Sequence, residues 1–455
     1  MIKFLPLGGA LEIGASCFYI NINGTGIILD SGLHPRQKGI NALPDFELIK
    51  NENVDAVLIS HAHQDHIASL PFLIRNHPYL QIFMTVQSLE IAEKTLHNSS
   101  RILKEQLNEN DLIVPYSHEE INLLLRTVRE KDYNEKFYIN GIASSYTKEL
   151  EIEFYDAGHI LGSAGILIKT QDGKSFFYTG DINLSTQSIL NGGDLPDEKI
   201  DTLILETTYG ATDSKLLNDW RHEELRLAKY LNKIFSNGGS VLVPVFALGK
   251  TQELLSILNR LMKKGLLIET NIYSGGLSKE ISSVYDKHKY KVKRKNKNFE
   301  LKDIPQLNLY EIKDFNEFRR NPGIVLASSG MMIKGTKSYE LMKNWIKYDD
   351  FGIVIVGYMD EESPGFVFAN SKKGDIVKIA GIENPVEIKC NVEKFYFPSH
   401  SKREDLIEIV KILKPENVVL IHGDPEAIDW VGHKILNEFN DIKLYEARKG
   451  NWLKF

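Results

Sequence analysis

An α/β protein of two domains, one interrupting the other, is what this sequence predicts, on three observations. At 455 residues the chain exceeds what one hydrophobic core usually serves. Its first half reads as short apolar strands cut by Gly, Asn and Asp turns, several of them ending on a polar, metal-competent residue. From about Tyr209 strands and helices alternate regularly, and near the carboxyl end histidines at strand ends return.

In order along the chain, strands are expected over 17–22, 26–29, 56–60, 151–155, 165–169, 175–179 and 202–205. Helical periodicity lies between some of them, over 67–75 and 88–106. The alternating part follows as helix 215–235, strand 240–245, helix 251–264, strand 271–273 and helix 278–285. Strands 323–327 and 352–357 flank a helix over 339–345, which together imply a parallel sheet. Strands return over 376–398, followed by helix 403–413, strand 417–421 and helix 425–439. The expected boundaries are 1–207 and 386–455 for the discontinuous domain and 208–385 for the insert.

Composition narrows the function classes. Hydrophobic residues at 42% and charged residues at 25% are ordinary for a globular protein. The net charge of -6 means that any nucleic-acid contact has to be a local basic surface. Two cysteines far apart, Cys17 and Cys390, exclude a disulfide scaffold and fit a reducing cytoplasm. Residues 1–10 hold one Lys and no long apolar core, so no signal peptide is expected. No apolar run is long enough to span a bilayer, so no membrane association is expected either.

The segment that carries most chemistry is Ser60-His61-Ala62-His63-Gln64-Asp65-His66, after the apolar run 56–59. Three imidazoles and a carboxylate within six residues do not fit a core face. Zinc accepts both donor types, and this spacing lets one loop serve two neighbouring ions. Further donors stand in similar contexts. His159 lies in a glycine-flanked turn, Asp156-Ala157-Gly158-His159-Ile160-Leu161-Gly162-Ser163-Ala164; Asp181 ends Tyr178-Thr179-Gly180-Asp181; His422 opens His422-Gly423-Asp424 after an apolar strand. Taken singly, each would more often be a satisfied structural group. His34, His77, His97, His118, His222, His288 and the helical His433 are read that way.

Together these motifs resemble the signatures of the metallo-β-lactamase superfamily, whose first motif is matched by Leu29-Asp30-Ser31-Gly32. Leu205-Glu206-Thr207-Thr208-Tyr209-Gly210 resembles the acidic motif that opens the β-CASP branch of RNA- and DNA-processing nucleases. The segment from Pro244 to Leu255, Ser328-Ser329-Gly330-Met331, Gly357-Tyr358, and the late histidines His400 and His422 are similar to that branch as well. The resemblance covers nearly the whole chain. It implies an αββα sandwich with an inserted α/β β-CASP domain. It also implies two Zn2+, one held by His61, His63 and His159, the other by Asp65, His66 and His422, with Asp181 bridging and Asp30 orienting ligands from behind.

The chemistry that this implies is hydrolysis of a phosphodiester, with Asp65, His400 and Glu206 as the catalytic residues. His400, oriented by Glu206 across the domain boundary, is the candidate general acid, because a carboxylate partner favours an imidazole's proton-donating form. Residues 401–405 depart from the small-residue–Asp pattern that follows this histidine in relatives. Expected products are a 5′-phosphate and a 3′-hydroxyl.

The expected substrate is single-stranded RNA, admitted to a cleft between the domains. Lys250, Ser329 and Gly330 are candidate phosphate contacts, Lys250 at a helix N-terminus. Pro244 stands where a nucleotide-binding loop would need Gly, so Gly249-Lys250-Thr251 is not an ATP site. Seven cations and Tyr290 between Lys287 and Lys297 form either a nucleic-acid contact or a solvated loop. Single-stranded DNA, a small ester or thioester, and an inactive scaffold role are the alternatives. With no amino-terminal RNA-binding extension and no long C-terminal oligomerisation domain evident, target choice is expected to depend on a partner; an RNA-processing partner or a homodimer is the expected association.

Overall fold

The computed structural model describes residues 2–106, 114–141, 149–217, 219–357, 359 and 361–455. Two compact units divide the chain. One comprises Met1–Thr186, Gly192–Ser214 and His400–Phe455; the other comprises Gln187–Asn191 and Lys215–Ser399.

The first unit is a sandwich of two seven-stranded sheets. One sheet runs Leu453–Lys454, Ile2–Gly8, Cys17–Ile22, Thr25–Leu29, Ala56–Leu58, Gln81–Thr85, Val128–Lys131. The other runs Lys443–Glu446, Asn417–Ile421, Thr202–Glu206, Ser175–Tyr178, Ala164–Thr170, Leu150–Asp156, Lys136–Ile139. Alternation of side chains across a strand sorts the residues. Phe176, Tyr178, Ile204, Val419 and Ile421 meet Phe18, Ile20, Ile27, Leu29 and Leu58 between the sheets. Their neighbours Phe177, Leu203, Leu205, Val418 and Leu420 face outward, under helices Arg403–Leu413 and Pro425–Glu438. Such strands are buried on both faces, which explains why they read as continuous apolar runs. Each fully buried Phe contributes about 1.5–3 kcal/mol.

The second unit has a parallel six-stranded sheet, Leu307–Asn308, Asn271–Ser274, Gly323–Ala327, Val241–Pro244, Gly352–Val356, Asn391–Phe395. Leu242, Val325, Ala327, Ile353 and Ile355 pack on one face with Leu341, Met342 and the fully buried Trp345. Val243, Ile324, Leu326 and Val354 line the opposite face with Leu227, Leu231, Leu254 and Leu258 of helices Trp220–Ser236 and Lys250–Lys263. No described helix is long and apolar enough to cross a membrane.

The compact units part company with the expected boundaries. Strand Asn391–Phe395 pairs along its whole length with Gly352–Val356, so the second unit continues to Ser399 rather than ending at 385. Ahead of it, Gln187–Asn191 joins the second unit because Glu253 accepts the amides of Ile189 at 2.7 Å and Leu190 at 3.2 Å. The helix expected over 67–75 is two, Gln64–Ile67 and Leu70–Asn76. Strands Ile2–Gly8, Gln81–Thr85, Val128–Lys131 and Lys136–Ile139 and helix His118–Leu125 were not expected. Ile2–Gly8 holds Pro6, and Val128–Lys131 is a mostly polar edge strand, so neither shows the pattern of a half-buried strand.

Candidate metal centre

Strand direction assembles the site. Ser175–Tyr178, Thr202–Glu206 and Asn417–Ile421 are mutually parallel, with Glu206 opposite Ile421, so their carboxyl ends share one edge. Asp181, Glu206 and His422 follow at that edge. In the facing sheet Thr25–Leu29 and Ala56–Leu58 are parallel with Leu29 opposite Leu58, which places Asp30 beside the loop that starts at His61. Gly32 lets that loop close in, because a Cβ there would stand 1.7 Å from the Asp65 carbonyl oxygen. Asp30 and His422, both at strand ends, have left-handed backbones, φ 60° and 47°. Such strain persists where surrounding structure dictates it.

Two groups of donors result, all within the first unit. His61, His63, His159 and Asp181 form one and Asp65, His66 and His422 the other, each with its donor atoms within 4.8 Å of one another. His63 Nδ1 lies 3.1 Å from both His61 Nε2 and His159 Nε2. Nitrogens bound tetrahedrally to one zinc at about 2.0–2.1 Å would stand at a similar separation. Asp181 faces both groups. Its Oδ2 is 3.6 Å from His61 Nε2 and from His159 Nε2; its Oδ1 is 3.3 Å from His66 Nε2 and from His422 Nδ1. Asp65 Oδ2 is 3.4 Å from His422 Nε2 and 3.8 Å from His66 Nε2.

The residues fit divalent cations by two further tests. His66 Nε2 and Asp181 Oδ1 are buried and take part in no hydrogen bond. Charge tells the same story. Burial holds the His61 and His63 imidazoles below the usual range, in the unprotonated form that ligates. For His66, burial works the same way, but Asp181, Asp65 and Asp30 outweigh it and push the imidazole well up. Asp181 is the converse: burial opposes its charge, yet His422, His66 and His400 hold it well below the carboxylate range. The carboxylates draw positive charge into the cluster, which the raised His66 and His422 carry as protons and which a dication could carry in their place.

Behind the donors stands a network. Asp30 accepts the Ser60 amide and hydroxyl at 2.6 Å each, the Tyr178 hydroxyl at 2.5 Å and His66 Nδ1–H at 2.8 Å. Once a metal displaces the other proton, this bond would keep the remaining one on Nδ1 and leave His66 Nε2 to ligate. Ser60 Oγ is 3.0 Å from His61 Nδ1, and Thr208 Oγ1 is 3.1 Å from His422 Nδ1. Tyr178, Ser60 and Thr208 were missed as site residues. An inward-facing Tyr needs a partner for its hydroxyl, which is a signal, but the partner lies 148 residues away.

His400 completes the cluster. Its Nδ1 donates to Glu206 Oε1 at 3.0 Å, and its Nε2 is 4.0 Å from Asp181 Oδ2. Glu206 is fixed by the amides of Ile182 and Thr208. The expected pairing is therefore present, but within the first unit rather than across a domain boundary.

The three candidate phosphate contacts belong to the second unit. Lys250 is only 7% exposed and its ammonium donates to the Phe397 carbonyl, instead of facing solvent as a phosphate contact would. Burial lowers it to about 8. Ser329 and the buried Gly330 follow strand Gly323–Ala327; the Ser329 carbonyl accepts the Ser338 hydroxyl at 2.7 Å. Tyr358 lies outside the described residues.

Comparison with known proteins supplies the family. Three families match: "Metallo-beta-lactamase superfamily" over residues 12–94, "Beta-Casp domain" over 251–366, and "Zn-dependent metallo-hydrolase RNA specificity domain" over 385–444. Endoribonuclease YSH1 of Kluyveromyces lactis is 26% identical over 97% of this chain and 58% of its own length. Cleavage and polyadenylation specificity factor subunit 3-I of Arabidopsis thaliana is 30% identical over 96% of this chain and 61% of its own. Integrator complex subunit 11 of Danio rerio is 29% identical over 96% and 72%. The chain thus spans less than two thirds of the first two relatives. A solved structure of a protein of unknown function from Enterococcus faecalis V583 matches with a TM-score of 0.55 at 12% identity, over 99% of each chain, a likeness of fold alone.

Proposed function

Because this chain belongs to the metallo-β-lactamase superfamily, in its β-CASP branch, we propose that it is a zinc-dependent endoribonuclease acting on single-stranded RNA. The observation that supports the reading most is Asp181, whose two oxygens address separate groups of donors with the His400–Glu206 pair beside them.

His61, His63 and His159 would hold one zinc ion and Asp65, His66 and His422 a second, with Asp181 shared. Bound there, the pair would supply an activated water and neutralise charge on the phosphoryl oxygens. Asp30 keeps His66 in the ligating tautomer. His400 gives the proton that the leaving 3′-oxygen needs, while Glu206 holds the imidazole in place. Water attack at phosphorus, with rupture of the bond to the 3′-oxygen, leaves a 5′-phosphate and a 3′-hydroxyl. The 2′-hydroxyl takes no part, so RNA rests on the relatives' names and not on the chemistry.

A circular RNA tests the reading, since only internal cleavage opens it. Zinc-loaded protein is expected to linearise it, leaving a 5′-phosphate, with little action on single-stranded DNA of the same sequence. Asp65→Ala should abolish cleavage, and His400→Ala should keep its zinc yet lose roughly 10²–10⁴ in kcat. Less than one zinc per chain, or 2′,3′-cyclic phosphate ends, would refute the mechanism.

A further inference from the structure

Two further histidines of the first unit meet outside the metal centre. His97 lies in helix Val86–Gln106, and His118, 21 residues on, opens helix His118–Leu125. Taken singly, each reads as a structural group. Together their Nδ1 atoms stand 2.6 Å apart, with the rings stacked at 4.9 Å between centroids and 27° between planes. His118 is exposed and His97 partly so, and neither belongs to the seven donors described above.

Hydrogen-bonding capacity narrows what lies between them. His97 Nε2 is 3.2 Å from Asn122 Oδ1, an amide oxygen that only accepts, so this nitrogen carries the hydrogen. A neutral His97 then keeps its lone pair on Nδ1, which faces His118 Nδ1. Their separation is shorter than the about 2.7–3.2 Å usual between an N–H donor and its acceptor. Ring nitrogens held that close need a positive centre between them, which a proton or a metal ion supplies. Among the described residues, neither ring pairs with a carboxylate.

Both helices hold the pair on fixed supports. Ser100, one turn beyond His97, donates its buried hydroxyl to the Tyr116 carbonyl at 2.6 Å. Ser117 caps the second helix, accepting the Glu120 amide at 3.1 Å, while Glu120 accepts the Ser117 amide at 2.7 Å. Arg75 in turn grips Glu120 at 2.8 Å and 3.0 Å and the Val114 carbonyl at 2.6 Å. The flanking cations of the first helix have partners of their own, Lys94 with Glu93 and Arg101 with Asn98. Donors supported in this way lose little freedom when they chelate.

We propose that His97 and His118 form a second metal site, taking a transition-metal dication such as Ni2+, Cu2+ or Zn2+ through their two Nδ1 atoms, with water in the other positions. An ion about 2.0–2.1 Å from each nitrogen asks the rings to part by only a fraction of an ångström. Imidazoles without a carboxylate select such ions over Mg2+ and Ca2+, which prefer oxygen. The bound ion bridges two helices of the first unit. The site goes beyond the ribonuclease reading and does not rest on it.

The probe is Ni2+, titrated calorimetrically into the tag-free, zinc-loaded full chain near neutral pH. Wild type is expected to take up one nickel ion per chain without releasing zinc, and His97→Ala and His118→Ala each to weaken that uptake by about tenfold or more. Excess Mg2+ should leave it unchanged. With Cu2+ in place of nickel, electron paramagnetic resonance should show coupling to two imidazole nitrogens in wild type and to one in either variant. Zinc content and hydrolysis of bis(p-nitrophenyl) phosphate should be the same in all three proteins, which shows the fold intact.

Equal nickel uptake by all three proteins overturns the proposal, as does nickel bound only in exchange for zinc. If wild type takes up none, the two rings share a proton and nothing more. Should the chain hold no zinc, the ribonuclease reading falls alone, and the nickel difference between wild type and variants is read in the same way.

Discussion

Asp30 shows how much can rest on a residue that need not touch a metal. Fully buried, it gathers four donors, one of them His66. Asn in its place would keep the shape but lose the charge that holds the His66 proton on Nδ1. Asp30→Asn is therefore expected to weaken zinc affinity about 10–100-fold, measured by competition against a chelator of known strength. An affinity equal to that of the wild type would make Asp30 a purely structural residue. Asp30 was legible from the Asp-Ser-Gly motif, but Tyr178 was not. A Tyr at the end of an apolar strand looks like core, and only the second sheet reveals that its hydroxyl ends on a carboxylate.

At the scale of elements, strand Asn391–Phe395 and the turn after it gain importance beyond their sequence. Glu223 accepts the Tyr396 amide at 3.0 Å, Arg226 donates to the Lys394 carbonyl and lies 4.0 Å over the Phe395 ring, and Lys250 holds the Phe397 carbonyl. These clamps grip the chain just before His400. The Gly-Lys-Thr sequence suggested a phosphate contact, because a Lys at a helix N-terminus usually reaches solvent. Here the ammonium is buried, a placement that burial disfavours unless an acceptor is waiting. Lys250→Met is expected to lower kcat, by about tenfold, with KM and zinc content unchanged, and Lys250→Arg to restore part of the loss. A rise in KM with kcat intact would return Lys250 to the substrate.

For the molecule as a whole, the two units differ in what metal should do for them. Every candidate ligand belongs to the first unit. Ligand binding stabilises only the structure that makes the site, by about 4 kcal/mol at a thousandfold excess over the dissociation constant. Calorimetry of zinc-loaded and chelated protein should show one transition falling by several degrees and another standing still. If both fall together, the units unfold as one cooperative body and the division has no thermodynamic meaning.

What the sequence determined by itself is local. The donors in Ser60–His66, the turns that bear His159, Asp181 and His422, and strands such as Cys17–Ile22 and Gly323–Ala327 were all readable, because hydrophobic period and motif spacing act over a few residues. The unit boundaries, the Tyr178–Asp30 bond, the inward turn of Lys250 and the anchoring of residues 293–295 by Gln187–Asn191 were decided only in three dimensions. Each joins partners tens to hundreds of residues apart, and the order in which strands pair carries no local signature. A strand's residues say that it will be buried; the sheet it joins says what it will hold.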